Sequence, residues 1–411
     1  MSRNRIALIS LAFALLALPL RAQENTCLDC HGSLDGNLKI TSDQIGQDVH
    51  IQKGLTCASC HGGDPTSAEA MDPKKGFKGH IARAKVPELC ASCHANADYM
   101  RGYNPSLRTD QLAQYKTSVH GKKLAAGDTK VAVCIDCHGV HGIRAIADTR
   151  AKVNPVNVAQ TCARCHNDRE YMKPYSIKTD QFAGYSSSVH HEALAVRGDL
   201  SAPTCTTCHG YHGATPPGVA SVENVCSTCH ALQAQLFDTS AHKKAFASAG
   251  LPGCVTCHSN HRIQKPNDTM IGTGPQSVCA NCHAEGDAGF TLAASVQKQF
   301  ITTQAGIARS AEILTRAEQA GMEVSQPQLE LSEARDRLTK ARVTMHSFQA
   351  SKIDEDIKAA RVVSDKTYDA GVKAMKERNY RRLGLGVSLS TIICMLIGLR
   401  LVITSIESKK P

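Results

Sequence analysis

The feature that most constrains this chain is a C-x-x-C-H motif that occurs nine times between Cys27 and His283. One copy falls about every 29 residues, which leaves too little chain between copies for a conventional hydrophobic core. Two thiols at this spacing can add to the two vinyl groups of one haem, and the histidine that follows can bind its iron. The motif therefore predicts nine covalently bound haem c groups whose macrocycles fill the interior.

The residues predicted to attach haem follow directly from the motif. The attaching cysteines are Cys27, Cys30, Cys57, Cys60, Cys90, Cys93, Cys134, Cys137, Cys162, Cys165, Cys205, Cys208, Cys226, Cys229, Cys254, Cys257, Cys279 and Cys282. The iron-binding proximal histidines are His31, His61, His94, His138, His166, His209, His230, His258 and His283. Zinc sites and dithiol redox motifs also use C-x-x-C, but neither needs a histidine directly after the second cysteine.

Composition agrees with an interior built from cofactor, because the chain has no Trp and only 4% aromatic residues. The expected fold is mainly α with extensive irregular loops: a multihaem cytochrome c stack, then a C-terminal helical hairpin or bundle and one transmembrane helix. The formal net charge is +10 at pH 7, but the propionates of nine haems would add about eighteen negative charges. The basic count therefore gives no reason to expect a nucleic acid partner.

Both ends of the chain carry apolar segments. Residues 1–22 combine a basic start, an apolar run and a small residue at Ala22, which is typical of a secretory signal peptide. A short leading membrane anchor is the alternative. Residues 383–406 are apolar and long enough to cross a bilayer, although basic residues flank both sides and leave the orientation open. With a cleaved signal peptide, the haem region would lie in the periplasm and residues 407–411 in the cytoplasm.

A second set of histidines follows an internal repeat. The stretches that begin at Tyr99 and Tyr171 both pass through T-D-Q and end in S-V-H, at His120 and His190. Each leads to a haem motif that continues as G-x-H, and weaker copies flank the pair, with a period of about 70 residues. The predicted sixth ligands of the irons are His50, His80, His120, His141, His190, His212, His242, His261 and His346.

The histidine count supports this assignment. Nine of the nineteen histidines lie in haem motifs, and His191 is the spare because it aligns with Gly121 in the repeat. Nine histidines then remain for nine haems, and neutral imidazole is a common iron ligand. The alternative, that several of them are surface residues, stays open. His141 follows His138 by only three residues, too few to pass around one porphyrin, so we expect it to bind a different haem and hold two haems side by side.

Helical patterning without cysteines begins near residue 291. Apolar residues at alternating steps of three and four predict helices at about 295–319, 327–346 and 353–377. They could form a simple spacer above the membrane. Because the haem on Cys27 and Cys30 has no partner in the repeat count, we expect His346 to bind that haem instead. The predicted domains are a signal peptide (1–22), a nonahaem cytochrome c domain (23–290), a helical domain (291–380), a transmembrane helix (381–406) and a cytoplasmic tail (407–411).

Two resemblances follow from these motifs. The unit S-x-H … C-x-x-C-H-G-x-H, over about residues 27–290, resembles the dihaem modules of periplasmic multihaem cytochromes of the MtrA/DmsE and NrfB types. That resemblance implies an electron conduit without a substrate of its own. The helical tail with His346 is similar to the C-terminal helices of cytochrome c nitrite reductase and hydroxylamine oxidoreductase, where a histidine between long helices binds a haem.

Two functions are compatible with these features. The first is a membrane-anchored electron carrier, without a small-molecule substrate, between the quinone pool or a membrane quinol-oxidising complex and periplasmic redox proteins. The second is a multihaem reductase or oxidoreductase of small nitrogen or sulfur compounds, which needs one haem with an open axial position. The chain contains no C-x-x-C-K motif of the kind used by nitrite reductases, so we favour the carrier. If one haem is open, the haem on Cys27 is the best candidate.

Overall fold

A computed structural model of the chain describes residues 26–408. The predicted signal peptide lies outside the described residues, as do the last three residues of the tail. Between residues 26 and 408 there are helices, turns and irregular loops but no β-strand, so the prediction of a mainly α fold with extensive loops is confirmed.

The helices before residue 260 are short. They are α1 (Thr26–His31), α2 (Ser42–Gly46), α3 (Val49–Gln52), α4 (Cys57–His61), α5 (Val86–His94), α6 (Ala97–Arg101), α7 (Gln111–Thr117), α8 (Val119–Ala125), α9 (Cys134–His138), α10 (Pro155–His166), α11 (Arg169–Met172), α12 (Gln181–Ser186), α13 (Val189–Ala195), α14 (Cys205–His209), α15 (Ala231–Asp238), α16 (Ala241–Ala249) and α17 (Gly253–His258). Short 3-10 turns occur at Gly36–Leu38, Pro73–Lys75, Arg83–Lys85, Lys173–Tyr175, Val222–Thr228, Asp268–Met270, Cys279–Asn281 and Met345–Ser347.

The five haem motifs from Cys57 to Cys205 alternate between two local structures. At α5 and α10 the motif closes a longer helix, which ends at the histidine itself. At α4, α9 and α14 the motif is the whole helix, and the next residue is a glycine with φ of 67°, 90° and 84°. A Cβ on the first of these, Gly62, would lie 2.0 Å from the carbonyl oxygen of Gly76. Glycine is therefore required there to turn the chain sharply away from the motif.

The chain forms two compact units. The first comprises the described residues up to Val222 together with 261–263, and the second comprises 223–260 and the described residues from Gln264 onward. The three last haem motifs thus fall in the same unit as the C-terminal helices. The domain boundaries at residues 290 and 380 stay predictions.

Turns that carry predicted ligands are joined by hydrogen bonds within the first unit. The backbone N–H of Val49 donates to the carbonyl of Ile143 at 2.7 Å, and that of Val189 donates to Ile263 at 2.9 Å. In both cases the donor directly precedes a histidine of the S-V-H type, and the acceptor follows by two residues the histidine that lies three positions after a haem motif, His141 or His261. These bonds link two copies of the sequence repeat at the places where both present an imidazole.

The C-terminal helices form a three-helix bundle in the second unit. They are α18 (Ala288–Gln319), α19 (Ser325–Thr344) and α20 (Ala350–Glu407). Their buried residues recur at alternating steps of three and four, the heptad pattern of a coiled coil: Val296, Phe300, Thr303, Ile307, Ser310, Leu314 and Ala317 in α18, Leu331, Ala334, Leu338 and Ala341 in α19, and Ile353, Ile357, Ala360, Ser364, Thr367, Gly371 and Ala374 in α20.

The final helix is longer than the sequence predicted. The expected third bundle helix and the expected transmembrane helix are one continuous helix of 58 residues, α20. It contains an apolar stretch with a mean hydropathy of 2.1 over 18 residues, none of it buried against the rest of the protein. This long apolar helix fits a membrane anchor.

Candidate haem-binding sites

The S-V-H signature is explained by helix capping. Its serine is the N-cap residue of a short helix and its histidine is the second residue of that helix, as at Ser118, Ser188 and, with S-A-H, Ser240. Asp48 plays the same part before His50. All four capping side chains are buried and accept a backbone N–H, which stabilises the first turn. The cap therefore fixes the position from which each histidine projects.

Seven pairs of imidazoles among the described residues face each other at nearly constant distance. Their ring centroids lie 5.9–6.2 Å apart: His50 and His94, His61 and His141, His120 and His166, His138 and His212, His209 and His261, His242 and His283, and His258 and His346. Two imidazoles on opposite sides of one metal ion, each at a metal–nitrogen distance of about 2 Å, have centroids roughly 6 Å apart. The spacing of the pairs thus fits an iron ion held between two imidazoles.

Every facing pair joins one motif histidine to one histidine outside the motifs. His141 lies opposite His61 and not opposite its neighbour His138, which faces His212. Each G-x-H loop therefore presents two imidazoles to two different partners. This is the arrangement that the three-residue offset between His138 and His141 led us to expect, and it brings neighbouring sites close together.

The expected partner of His346 has to be corrected. The sequence count assigned His346 to the haem on Cys27 and Cys30, whose motif histidine is His31, but the structure places His346 opposite His258 at 6.1 Å. The Met345–Ser347 turn that carries it joins two bundle helices and packs against α15, in the same unit as His258. A count of histidines could not identify the imidazole that faces His346, because the count contains no information on which haem motif packs against the bundle.

Four further histidines occupy the following positions. His31 is hydrogen-bonded through Nδ1 to the carbonyl of Leu38 at 2.8 Å, and no imidazole of the described residues faces it as in the seven pairs. His80 is exposed. His190 is the second residue of α13, as His120 is of α8, and His230 directly precedes α15.

His191, predicted to be the spare histidine, packs against an aromatic ring instead of a second imidazole. Its ring meets that of Tyr185 edge-on, with the centroids 5.3 Å apart. Its interpretation as a residue outside the haem sites remains a prediction that agrees with this contact.

Burial disfavours the charged form of ten of the fourteen facing imidazoles. Desolvation lowers the pKa of His138 to about 4, with smaller contributions from neighbouring histidines. Burial is also the first cause of the lowered pKa of His94, His120, His141, His166, His209, His212, His242, His258 and His261. A neutral imidazole is the form that donates a nitrogen lone pair to a metal.

Hydrogen bonds to Nδ1 orient several of these rings. His50 contacts Asp48 Oδ1 at 3.1 Å, His283 contacts Asp287 Oδ2 at 3.1 Å, and His346 contacts the Val343 carbonyl at 2.9 Å. A proton on Nδ1 satisfies these acceptors and leaves the Nε2 lone pair for a metal, as in other histidine metal sites. Neither carboxylate was predicted from the sequence, although Asp48 could have been found as the N-cap residue two positions before its histidine.

Cysteines of successive motifs meet in pairs. The first cysteines lie near one another as Cys27 with Cys57, Cys90 with Cys134, Cys162 with Cys205, and Cys226 with Cys254. Burial raises the pKa of three second cysteines, and the charge of a cysteine in the next motif adds to the effect: Cys93 near Cys60, Cys279 near Cys257, and Cys165 near Cys137, where Asp136 and Cys134 contribute more than Cys165. Neighbouring motifs therefore adjoin through their first and second cysteines in alternation.

The residues fit covalently bound haem better than a compact metal site. Within residues 26–408, no three side chains of His, Cys, Asp or Glu converge as a zinc site would require. Each motif instead presents two cysteines beside one imidazole, and in seven cases a second imidazole stands across a gap of fitting width. When bound, haem supplies a one-electron redox centre, and the two facing imidazoles would be the residues that hold its iron.

Comparison with known proteins agrees with this chemistry. A family model for cytochrome c3 matches residues 49–176, and a model for a doubled CXXCH motif matches residues 245–288. The chain is therefore a multihaem c-type cytochrome that binds haem c covalently. The predicted class of protein is confirmed.

One curated relative extends the comparison. The cytochrome c-type protein NrfB of Escherichia coli is 25% identical over 163 residues, which make up 38% of this chain and 65% of NrfB. The chain thus spans less than two thirds of the length of this relative. No solved structure matches the chain.

Proposed function

We propose that the chain is a membrane-anchored nonahaem cytochrome that conducts electrons between redox partners of the membrane and of the periplasm. The nine motifs would each hold one haem c, with the motif histidine as the proximal ligand and one of the nine predicted sixth ligands on the other side. The apolar part of α20 would hold the protein in the cytoplasmic membrane. The haem motifs would lie on the periplasmic side, since c-type haem is attached outside the cytoplasm.

The nearness of successive motifs is the observation that carries this proposal. Helix α9 packs on α5, and α14 packs on α10. Cysteines of successive motifs lie near enough to influence one another electrostatically from Cys27 to Cys205 in the first unit and from Cys226 to Cys282 in the second. Haems attached to adjoining cysteines would have neighbouring edges. Electron transfer falls steeply with the distance between edges, so each unit would carry an unbroken row of redox centres.

The arrangement of ligands favours a carrier over an enzyme. A haem enclosed between two imidazoles has no free axial position, and an enzyme of small nitrogen or sulfur compounds needs one. The second candidate function, that of an enzyme, depends on His31. None of the described imidazoles faces His31, so its haem is the one that would have a free axial position. We assign the exposed His80 to this haem because the correction of His346 leaves it as the remaining predicted ligand in the first repeat. An enzyme would require this assignment to be wrong.

The experiment that tests the proposal combines a mass with an electron count. The intact mass of the purified chain should exceed the polypeptide mass by nine haems, and stepwise reduction should take up nine electrons per chain. A mass that lacks one or more haems would contradict the nonahaem assignment. Nine haems that turn over nitrite or hydroxylamine at a substantial rate would favour the enzyme.

A further inference from the structure

The three-helix bundle sets the distance between the haem sites of the second unit and the membrane anchor. Helix α20 begins at Ala350, directly after the turn that carries His346, and its exposed apolar part begins at Leu383. At a rise of 1.5 Å per residue, this part of the helix spans about 50 Å. Helix α18, with 32 residues, runs for nearly the same length, so the distance does not depend on one helix alone.

Polar contacts hold the three helices in register along this length. Ser310 of α18 donates to the carbonyl of Ser364 in α20 at 2.9 Å, and both side chains are buried. Lys366 of α20 pairs with Glu330 of α19 at 2.8 Å. Because the heptad core is continuous between these contacts, the bundle is a stiff support in which α20 cannot fold back on itself.

The end of the bundle that lies away from Leu383 packs against the haem sites of the second unit. The ring of Phe348 packs on that of His242 with centroids 3.9 Å apart. Arg342 of α19 forms two hydrogen bonds of 2.8 Å with Asp268, in the segment that leads to the last motif. Asp287 caps α18 and contacts His283. These contacts place the facing imidazoles at the end of the bundle that lies away from Leu383.

The end of the bundle next to Leu383 carries arginine side chains that suit the phosphates of a membrane surface. Arg316 at the end of α18 and Arg378 and Arg382 of α20 line a cavity of about 330 Å³ immediately before the apolar stretch. Guanidinium groups at this level can bind lipid phosphates, since they offer several donors to an anion. The membrane surface therefore lies at the foot of the bundle and not halfway up its side.

We infer that the haem sites of the second unit exchange electrons with a redox protein that reaches about 50 Å above the bilayer, and not with quinol dissolved in it. This inference rests on the proposed function. A quinol ring stays within the membrane or its surface, whereas these sites stand at the far end of the bundle. A single electron-transfer step cannot bridge such a gap at a useful rate. A membrane complex that exchanges electrons directly with these sites must therefore present a redox centre on a tall extramembrane domain.

The first test compares two quinones with the same ring. Full-length holoprotein in vesicles of neutral and anionic phospholipids is reduced and then oxidised by a water-soluble quinone without a tail, or by a long-chain quinone confined to the bilayer. We expect the confined quinone to oxidise the haems more than an order of magnitude more slowly. Equal rates for the two quinones would overturn the inference.

The second test measures the separation directly. Cys394 is the one cysteine outside the haem motifs, and it lies on the exposed part of α20. A fluorophore attached to it should keep most of its emission, because haem quenches only nearby dyes. The matched control carries the dye at Lys352→Cys, on an exposed residue of the first turn of α20, with Cys394→Ser, and should be strongly quenched.

The outcomes separate the inference from the function on which it rests. Equal, strong quenching at both positions would mean that haems lie near the membrane, which overturns the inference while the nonahaem function stands. No quenching at either position, together with missing haem absorbance, would contradict the proposed function and the inference with it. Strong quenching at Lys352→Cys alone supports both.

Discussion

The imidazole of His346, at the turn between two helices of the C-terminal bundle, lies nearly parallel to that of His258, with centroids 6.1 Å apart and planes inclined by 20°. His258 ends a haem motif, whereas His346 belongs to a segment without cysteines. A bundle that packs onto a haem site can also complete it, and the hydrogen bond from His346 Nδ1 to Val343 turns Nε2 toward the gap. The bundle would thus supply one iron ligand in addition to supporting the haem sites.

Replacing this ligand should open a single haem. In the His346→Ala variant we expect the haem on Cys254 and Cys257 to become high-spin and to bind carbon monoxide, while the others stay low-spin. Electron paramagnetic resonance with a carbon monoxide titration measures the change. His191→Ala is the control, because that ring packs on Tyr185 and its loss should leave the spin states unchanged. An unchanged spectrum in His346→Ala would contradict the assignment.

The carboxylate beside His50 should lower the reduction potential of one haem. Asp48 is buried and contacts His50 Nδ1 at 3.1 Å, so its negative charge would favour the oxidised form of an iron held between His50 and His94. Asp48→Asn should raise the potential of the haem on Cys90 and Cys93 by on the order of 50 mV, equivalent to about 1 kcal/mol for one electron.

A spectroscopic redox titration measures this shift. Asp98→Asn is the matched control, because Asp98 pairs with Arg101 on the surface and its replacement should leave all potentials in place. The role given to Asp48 would be wrong if both variants titrated like the wild-type protein.

The packing of the bundle core should contribute to stability independently of haem attachment. Ile357 is fully buried at a heptad position, and Ile357→Ala should lower the free energy of unfolding of the bundle by about 2–5 kcal/mol, since the substitution leaves a cavity. Denaturant unfolding followed by circular dichroism measures the loss. Val362→Ala on the exposed face of the same helix should change stability by much less. Similar losses in the two variants would refute the heptad packing.

Removal of the apolar stretch should release the protein from membranes. A stop codon after Arg382 deletes the exposed apolar part of α20 and leaves the heptad core, which ends at Ala374, intact. We expect the full-length protein to resist a salt wash of the membranes and the truncated protein to be soluble and still red. Recovery of the full-length protein in the soluble fraction would contradict the anchor.

Features that depend on spacing along the chain were predictable from the sequence, whereas contacts between segments far apart in the chain were not. The motifs, the repeat and the heptad pattern indicated haem attachment, extra histidines and long helices, because each depends on spacing along the chain. Helix α18 begins at Ala288 and not near residue 295 as predicted, because Asp287 caps it: the Asp287 side chain accepts the N–H of Phe290 at 2.6 Å. The partner of His346 could not be found by counting, since tertiary packing alone decides which imidazoles face each other.

The central claim is that a histidine pair closes every haem, and the spin state of the wild-type protein tests it most directly. Electron paramagnetic resonance of the oxidised full-length protein, with spins counted against its haem content, should show low-spin iron only, and carbon monoxide should leave the spectrum of the reduced protein unchanged. A high-spin haem that binds carbon monoxide or nitrite in the wild-type protein would contradict the account. It would also mark the site of His31 as the place to look for an enzyme.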